Sequence, residues 1–419
     1  MIKLNFDIKK HNLENGLKVL TIKKDTQIAA VNIGVNVGAM YENMDEKGIS
    51  HFIEHMLFKG TKNRTNEELN DELESLGGEY NAYTDYDSTV YTISCLEEEI
   101  KNGVKLLGDM IVNSNFPEEE IVKERNVILA EIRTSKDDIE DLSFKRTNEI
   151  AFENSYLKYD VIGFEENVNN FTRDDLVKFY KKYYAPNNSV ITIVTSLEHE
   201  EALKLVESSF CNWNKGSIEK KDIIKEKNIK TIETTFKNEI EQSTIVYLYT
   251  FNDLDKENEL PLRILNNRIG ESSNSLLFKE IREKRGFAYD IFTHLDITKD
   301  AKSLYIYTSV SDEDVLDTKK AIDKVLKDVV NKKVVFGDKD LNIMKKVHKT
   351  AVIGTLEDSA DLCNYILHQE LAGENNLEFV SDMNKLNTIK PEKLYSVAKE
   401  VLKDPTIHIL RRTLGEEDE

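Results

Sequence analysis

The sequence predicts an α+β protein of two homologous domains, each a mainly antiparallel sheet with helices packed against it. Three observations lead there. The chain has 419 residues, more than one typical domain holds. Strand-like alternation, as in Val31, Ile33, Val35 and Val37 against Asn32, Gly34 and Asn36, is interleaved with helical stripes such as Ile100, Val104, Leu107 and Ile111. The same order of elements returns after a polar stretch rich in Lys, Glu and Ile. We therefore expect an N-terminal domain over residues 1–214, a linker over 215–230 and a C-terminal domain over 231–419.

In chain order, Asn15-Gly16 between Leu13 and Leu17-Lys18-Val19-Leu20 is a hairpin signal. The Val31 strand leads through a loop from Gly38 to Gly48 into an apolar segment around His51, with Gly60 as its left-handed stop. Residues 66–76 read as a helix ended by Gly77-Gly78, and Tyr80 to Ser94 as extended chain rich in Tyr and Thr. Pro117 followed by Glu118, Glu119 and Glu120 suits a helix N-terminus. Thr172 to Asp175 opens a helix with a capping-box pattern, and Val190 to Val194 is a buried strand. In the second half Ile245 to Tyr249 stands where the Val31 strand stood, and Leu304 to Val310 echoes Val90 to Ser94. The helical stripe Leu394, Val397 and Val401 and the strand Ile407 to Leu410 close the repeat.

Composition excludes several classes. A formal net charge of −20 argues against a nucleic-acid binder, which needs a basic face. No 18-residue apolar span and no signal peptide is visible, so the expected place is the cytoplasm, away from membranes. Cys95, Cys211 and Cys363 lack C-x-x-C spacing and read as thiols in a reducing compartment.

The chemistry concentrates in His51-Phe52-Ile53-Glu54-His55. Histidines four apart on a helix share a face, and zinc sites use imidazole and carboxylate ligands with one position left for water. Phe52, Ile53, Met56, Leu57 and Phe58 make the segment apolar almost all round, so ionisable groups there need partners or a metal. The pentapeptide alone fits either a zinc site or two core histidines with a salt-bridging glutamate. Ile121, Glu124, Ile128 and Glu131 form one helical stripe, in which the glutamates either lie on a solvated or salt-bridged edge or one of them completes a metal site. The six other histidines have no partners at metal spacing.

The stretch from Gly48 to Thr61, with its His-Phe-Ile-Glu-His-Met-Leu-Phe-Lys-Gly-Thr core, resembles the signature of the pitrilysin-type inverzincin metallopeptidases. The branch it most resembles includes the mitochondrial processing peptidase and its bacterial relatives. Glu124 to Ile132, Gly78 to Thr84 and Tyr184 to Asn188 also resemble that family's segments, so the resemblance runs through nearly the whole chain. It implies one Zn²⁺ per chain, held by His51, His55 and Glu131, with Glu54 as general base and Glu124 orienting a ligand histidine. It implies peptide substrates bound as an added strand at Asn81 and Ala82. The strand after Pro186 departs in a loop, ending in Thr195-Ser196 where relatives carry Gly-Asp.

The second half has no histidine in its counterpart of the His51 helix, around Leu260 to Ile269. It carries Arg282-Glu283-Lys284-Arg285-Gly286-Phe287-Ala288-Tyr289, where Arg282 and Tyr289 resemble the family's substrate-binding pair; on residue type alone this is a basic helix end before a packed tyrosine. Family members of this length work as dimers enclosing a chamber, so a homodimer is expected. The function expected is a zinc-dependent endopeptidase acting on extended or unfolded peptides. The alternative is a non-catalytic or partner-dependent peptide-binding subunit of a larger processing complex.

Overall fold

The computed structural model describes residues 4–218 and 221–413, so the acidic run Glu416–Glu419 lies outside the described residues. The Asn15-Gly16 turn joins β1 (Phe6–Asn12) to β2 (Lys18–Lys24) as an antiparallel hairpin, with Gly16 at φ 87°, a conformation that favours glycine. β3 (Ile28–Val35), α1 (Ile49–Met56) and α2 (Asn66–Ser75) follow, the last closed by a reciprocal Thr65–Glu68 capping box. Then come β4 (Glu79–Thr84), β5 (Thr89–Leu96), α3 (Ile100–Asn113), α4 (Glu118–Asp137), α5 (Ile139–Ala151) and α6 (Glu165–Asn170). The first half ends with α7 (Arg173–Tyr183), behind its Thr172–Asp175 capping box, β6 (Ser189–Thr195) and α8 (His199–Phe210).

The second half runs β7 (Thr231–Lys237), β8 (Ser243–Thr250), α9 (Glu259–Asn266), β9 (Ala288–Ile297), β10 (Lys302–Val310) and α10 (Val315–Val330). It continues with α11 (Asp338–Glu357), α12 (Ser359–Ala372), α13 (Glu378–Leu386), α14 (Pro391–Val401) and β11 (Thr406–Arg412). Two π-helical turns, Asn267–Glu271 and Phe278–Glu283, lie between α9 and β9.

The strands form two sheets, β1-β2-β6-β3-β5-β4 and β7-β11-β8-β10-β9. Only β2/β6 and β7/β11 are parallel pairs; all other neighbours are antiparallel. The second sheet repeats the last five strands of the first, place for place. The expected α+β repeat is thus present as a repeat of topology.

The chain divides into two compact units, and each is discontinuous in sequence. The first comprises residues 1–133, 160–222 and 352–378; the second comprises 134–159, 223–351 and 379–419. In the first unit Ala29, Val31, Ile33 and Val35 of β3 point into the core with Phe52, Ile53, Val104 and Leu107. The opposite face receives α12. A Cβ on Gly34 would lie 2.6 Å from Leu371 Cδ1, so the bare backbone there is what lets the helix approach. Leu362, Ile366 and Leu367 are fully buried, each burial contributing roughly 1.5–3 kcal/mol. Buried Glu370 binds Lys10 at 2.6 Å and Lys18 at 3.0 Å, fastening the helix to β1 and β2.

The second unit uses α5 in the same way. Ala151 and Phe152 pack with Val246, Leu248, Tyr305 and Tyr307, and the Phe144 ring stacks on Tyr307. Both helices begin at an aspartate whose side chain accepts two backbone N–H groups: Asp138 from Glu140 and Asp141, Asp358 from Ala360 and Asp361.

Candidate metal centre

The site is built on α1, and its entry is fixed from inside. Gly48, at φ 97°, sits where a Cβ would fall 2.6 Å from the carbonyl oxygen of Ile162. The fully buried Glu42 carboxyl accepts the N–H groups of Gly48 (3.0 Å) and Ser50 (2.8 Å), satisfying donors that the helix start leaves free. Burial pushes that carboxyl up to about 7, against the pull of those hydrogen bonds and of Lys47. Lys47, also buried, donates to the Ala39 carbonyl at 2.7 Å. Ile49, Phe52, Ile53 and Met56 then sink into the core, leaving the polar strip of His51, Glu54 and His55.

The two imidazoles meet Glu131 of α4. His51 Nε2 and His55 Nε2 are 3.3 Å apart, and Glu131 Oε2 lies 3.8 Å and 3.7 Å from them. Among the described residues this is the one cluster of three or more His, Cys, Asp or Glu side chains able to hold a metal ion, its ligand atoms all within 4.8 Å of one another. Ligands at about 2.0–2.1 Å around a tetrahedral Zn²⁺ stand roughly 3.3 Å apart, so the donor set and the imidazole spacing fit the ion. With each imidazole proton on Nδ1, both Nε2 lone pairs and the Glu131 carboxylate would converge on one cation. His51 Nδ1 is buried without a hydrogen-bond partner.

The α4 stripe resolves into two roles. Ile121 and Ile128 are buried, Glu131 faces the Nε2 atoms, and buried Glu124 faces the other side of His55, its Oε2 3.0 Å from Nδ1. Lys59 Nζ binds the second Glu124 oxygen at 2.8 Å. With its proton on Nδ1, toward Glu124, His55 presents the Nε2 lone pair to the cluster.

Charges follow this arrangement. Burial, with His55 nearby, lowers the His51 pKa to about 3, so this imidazole is neutral near pH 7. Burial pulls His55 down as well, but the Glu124 hydrogen bond and the Glu131 and Glu54 carboxylates outweigh it and raise its pKa. Glu124 is lowered: burial opposes ionisation, and the His55 and Lys59 hydrogen bonds prevail. Glu54, nine-tenths buried, is raised by burial, against a 2.6 Å hydrogen bond from the Thr84 hydroxyl to its Oε2.

Thr84 ends β4, a free edge of the first sheet. Asn81 is exposed and Ala82 partly exposed there, and the Ala82 N–H is met by Asn81 Oδ1 at 2.9 Å. Tyr83 is anchored by α12: its hydroxyl donates to Asn364 Oδ1 (2.8 Å) and sits 2.7 Å from His368 Nε2, with the two rings stacked.

Arg282 and Tyr289, in the second unit, are brought together. The Arg282 guanidinium carbon lies 4.7 Å from the Tyr289 ring centroid and 4.7 Å from that of Phe278. Tyr289 is 77% exposed, which departs from a packed tyrosine. Phe278, on the same π-helical turn as Arg282, is a third member that the sequence alone did not single out. Gly286, at φ 69°, turns the chain into β9. Of the remaining histidines, His199 sits between Thr21 and Asp7, and His408 beside Thr235.

A two-fold repeated α+β architecture bearing a His-x-x-Glu-His helix closed by a downstream glutamate defines a candidate metal-dependent hydrolase. Comparison narrows the class. Residues 18–164 match the family model described as insulinase, peptidase family M16, and residues 170–347 match that of the peptidase M16 inactive domain. The chain belongs to peptidase family M16. An uncharacterised zinc protease of Rickettsia bellii is 34% identical over 312 residues, 74% of each chain. The mitochondrial-processing peptidase subunit beta of Bos taurus is 34% identical over 209 residues, 49% of this chain and 43% of that one. The crystal structure of a protease from Helicobacter pylori, at 24% identity, superposes with a TM-score of 0.89 over 98% of this chain and 100% of that one, a likeness of fold. Among the described residues no helix is long and apolar enough to cross a membrane.

Proposed function

We propose that the chain is a zinc-dependent endopeptidase of the inverzincin type, hydrolysing extended or unfolded peptides. The observation that carries this reading is the convergence of His51 Nε2, His55 Nε2 and a Glu131 oxygen, with Glu54 buried beside them. Those three residues would hold one Zn²⁺ per chain. Bound there, the ion would supply a Lewis acid that lowers the pKa of water toward neutrality and polarises a scissile carbonyl. Glu54 takes the proton of the attacking water and returns it to the leaving amine as the C–N bond breaks. Glu124 keeps the His55 ring in the ligating tautomer.

The free edge of β4 takes the substrate as an added strand, with Asn81 and Ala82 pairing to its main chain, which favours extended peptides over folded surfaces. In the proposed homodimer the Arg282 and Tyr289 pair that serves one zinc comes from the second copy of the chain, where it binds the substrate backbone and donates to the developing oxyanion. The division into domains at 214 and 231, a homodimer enclosing a chamber and a cytoplasmic place belong to the same proposal. A partner-dependent subunit is the second reading, favoured by the likeness to a protein named as subunit beta.

Substitution tests the ligand set. His51→Ala and Glu131→Gln should each lose zinc and turnover together; either variant retaining both overturns the assignment.

A further inference from the structure

We propose that Thr84 is the positioning residue for Glu54, tying the general base to the strand on which the peptide binds. The inference rests on the peptidase reading above and adds a residue to it. The Thr84 hydroxyl donates to Glu54 Oε2 at 2.6 Å, and the backbone N–H of Thr84 faces the same carboxyl. Among the described residues, the hydrogen bonds to that carboxyl come from Thr84 alone.

The need for such a tether is physical. Glu54 stands on α1 between two histidines, and fixing a long glutamate side chain costs rotamer freedom. A general base must hold its oxygen within hydrogen-bond reach of the proton it takes. Fastening Oε2 to Thr84 restricts the carboxylate plane and leaves Oε1 as the oxygen without a bound hydroxyl. The tether also comes from a fixed element. β4 pairs with β5 from Glu79 to Thr84, and Tyr83, next to Thr84, is clamped by Asn364 and His368 of α12. Ala82, proposed to pair with the substrate, is two residues from Thr84 on the same free edge. One strand therefore sets both the register of the peptide and the aim of the base.

The test compares Thr84→Val, Thr84→Ser, Glu54→Gln and the double variant Thr84→Val/Glu54→Gln with wild type. The full chain is used throughout, with zinc content, melting temperature, kcat and KM measured on an unstructured peptide. Valine keeps the β-branched shape and strand preference and removes only the hydroxyl. Expected is a loss in kcat of roughly tenfold to a hundredfold for Thr84→Val, with KM and zinc content unchanged, recovery in Thr84→Ser, and no further loss when Thr84→Val is added to Glu54→Gln. A wild-type kcat in Thr84→Val overturns the proposal, as does a loss that serine does not restore or one that persists in full in the Glu54→Gln background. A zinc-loaded wild-type chain without turnover overturns the peptidase reading and this inference with it; turnover with Thr84→Val equal to wild type overturns this inference alone.

Discussion

His55 Nδ1 lies 3.0 Å from Oε2 of Glu124, and the other Glu124 oxygen is held by Lys59 at 2.8 Å. Glu124 thus faces the His55 nitrogen turned away from His51 and Glu131, and on the proposed zinc reading it sets which nitrogen ligates. Glu124→Gln keeps the shape and removes the charge. Outer partners of this kind typically contribute 10- to 100-fold to metal affinity. Competitive zinc titration should show a weakening in that range, with melting temperature in excess zinc near wild type. Unchanged affinity would mean that the contact does not set the tautomer.

Burial raises the Glu42 carboxyl from its usual 4.5 to about 7. The sign follows from proton binding. Between these values the folded chain holds a proton that the unfolded chain releases, so this group's stabilising contribution is complete below pH 4.5 and is lost as pH rises through 7. The amount at stake is on the order of 3 kcal/mol. Glu42→Gln removes the titration. Denaturant melts at pH 5 and pH 8 should show wild type losing stability relative to the variant on going to pH 8; parallel changes would contradict the buried ionisation.

Leu367 is fully buried on α12, whose Leu371 packs at the Gly34 site in β3. Leu367→Ala should cost about 2–5 kcal/mol in a denaturant melt, the range for a cavity in a packed core. A cost below 1 kcal/mol would mean that α12 is not a structural cover for the first sheet.

Arg282→Lys keeps the charge and loses the planar guanidinium that lies over the Phe278 and Tyr289 rings. If the pair acts on the substrate backbone, kcat/KM should fall by roughly tenfold or more with zinc content unchanged. Equal kcat/KM in the lysine variant would count against a role for the stacked geometry.

Where sequence was a good guide, the signal was local. The i, i+4 spacing of His51 and His55 and the single stripe of Glu124 and Glu131 are properties of one helix each, and the structure brings the two helices together on those faces. The Asn15-Gly16 hairpin and the Thr65 and Thr172 helix starts are local too. Where sequence was mute, the partner lies far along the chain. Leu362, Ile366 and Leu367 fit a helical stripe, but nothing near them says that they cover β3 and β6 of the first half. Glu42 looks like an ordinary loop glutamate until the left-handed Gly48 folds α1 back over it. Thr84 lies in a segment that pattern marks as strand, yet its hydroxyl matters only because α1 lies beside β4. The contact of Phe278 with Arg282 has the i, i+4 spacing of helix neighbours, but Tyr289 joins them only through the turn at Gly286.

The central claim, metal-assisted peptide hydrolysis with Glu54 as the base, is tested most directly by one paired measurement. Wild type and Glu54→Gln are assayed side by side for cleavage of unstructured peptides, with zinc content determined on both. The account predicts equal zinc in the two proteins and turnover by Glu54→Gln cut to a residual rate of roughly a hundredth of wild type or less. Cleavage by zinc-loaded Glu54→Gln at the wild-type rate, or none by zinc-loaded wild type, would contradict it.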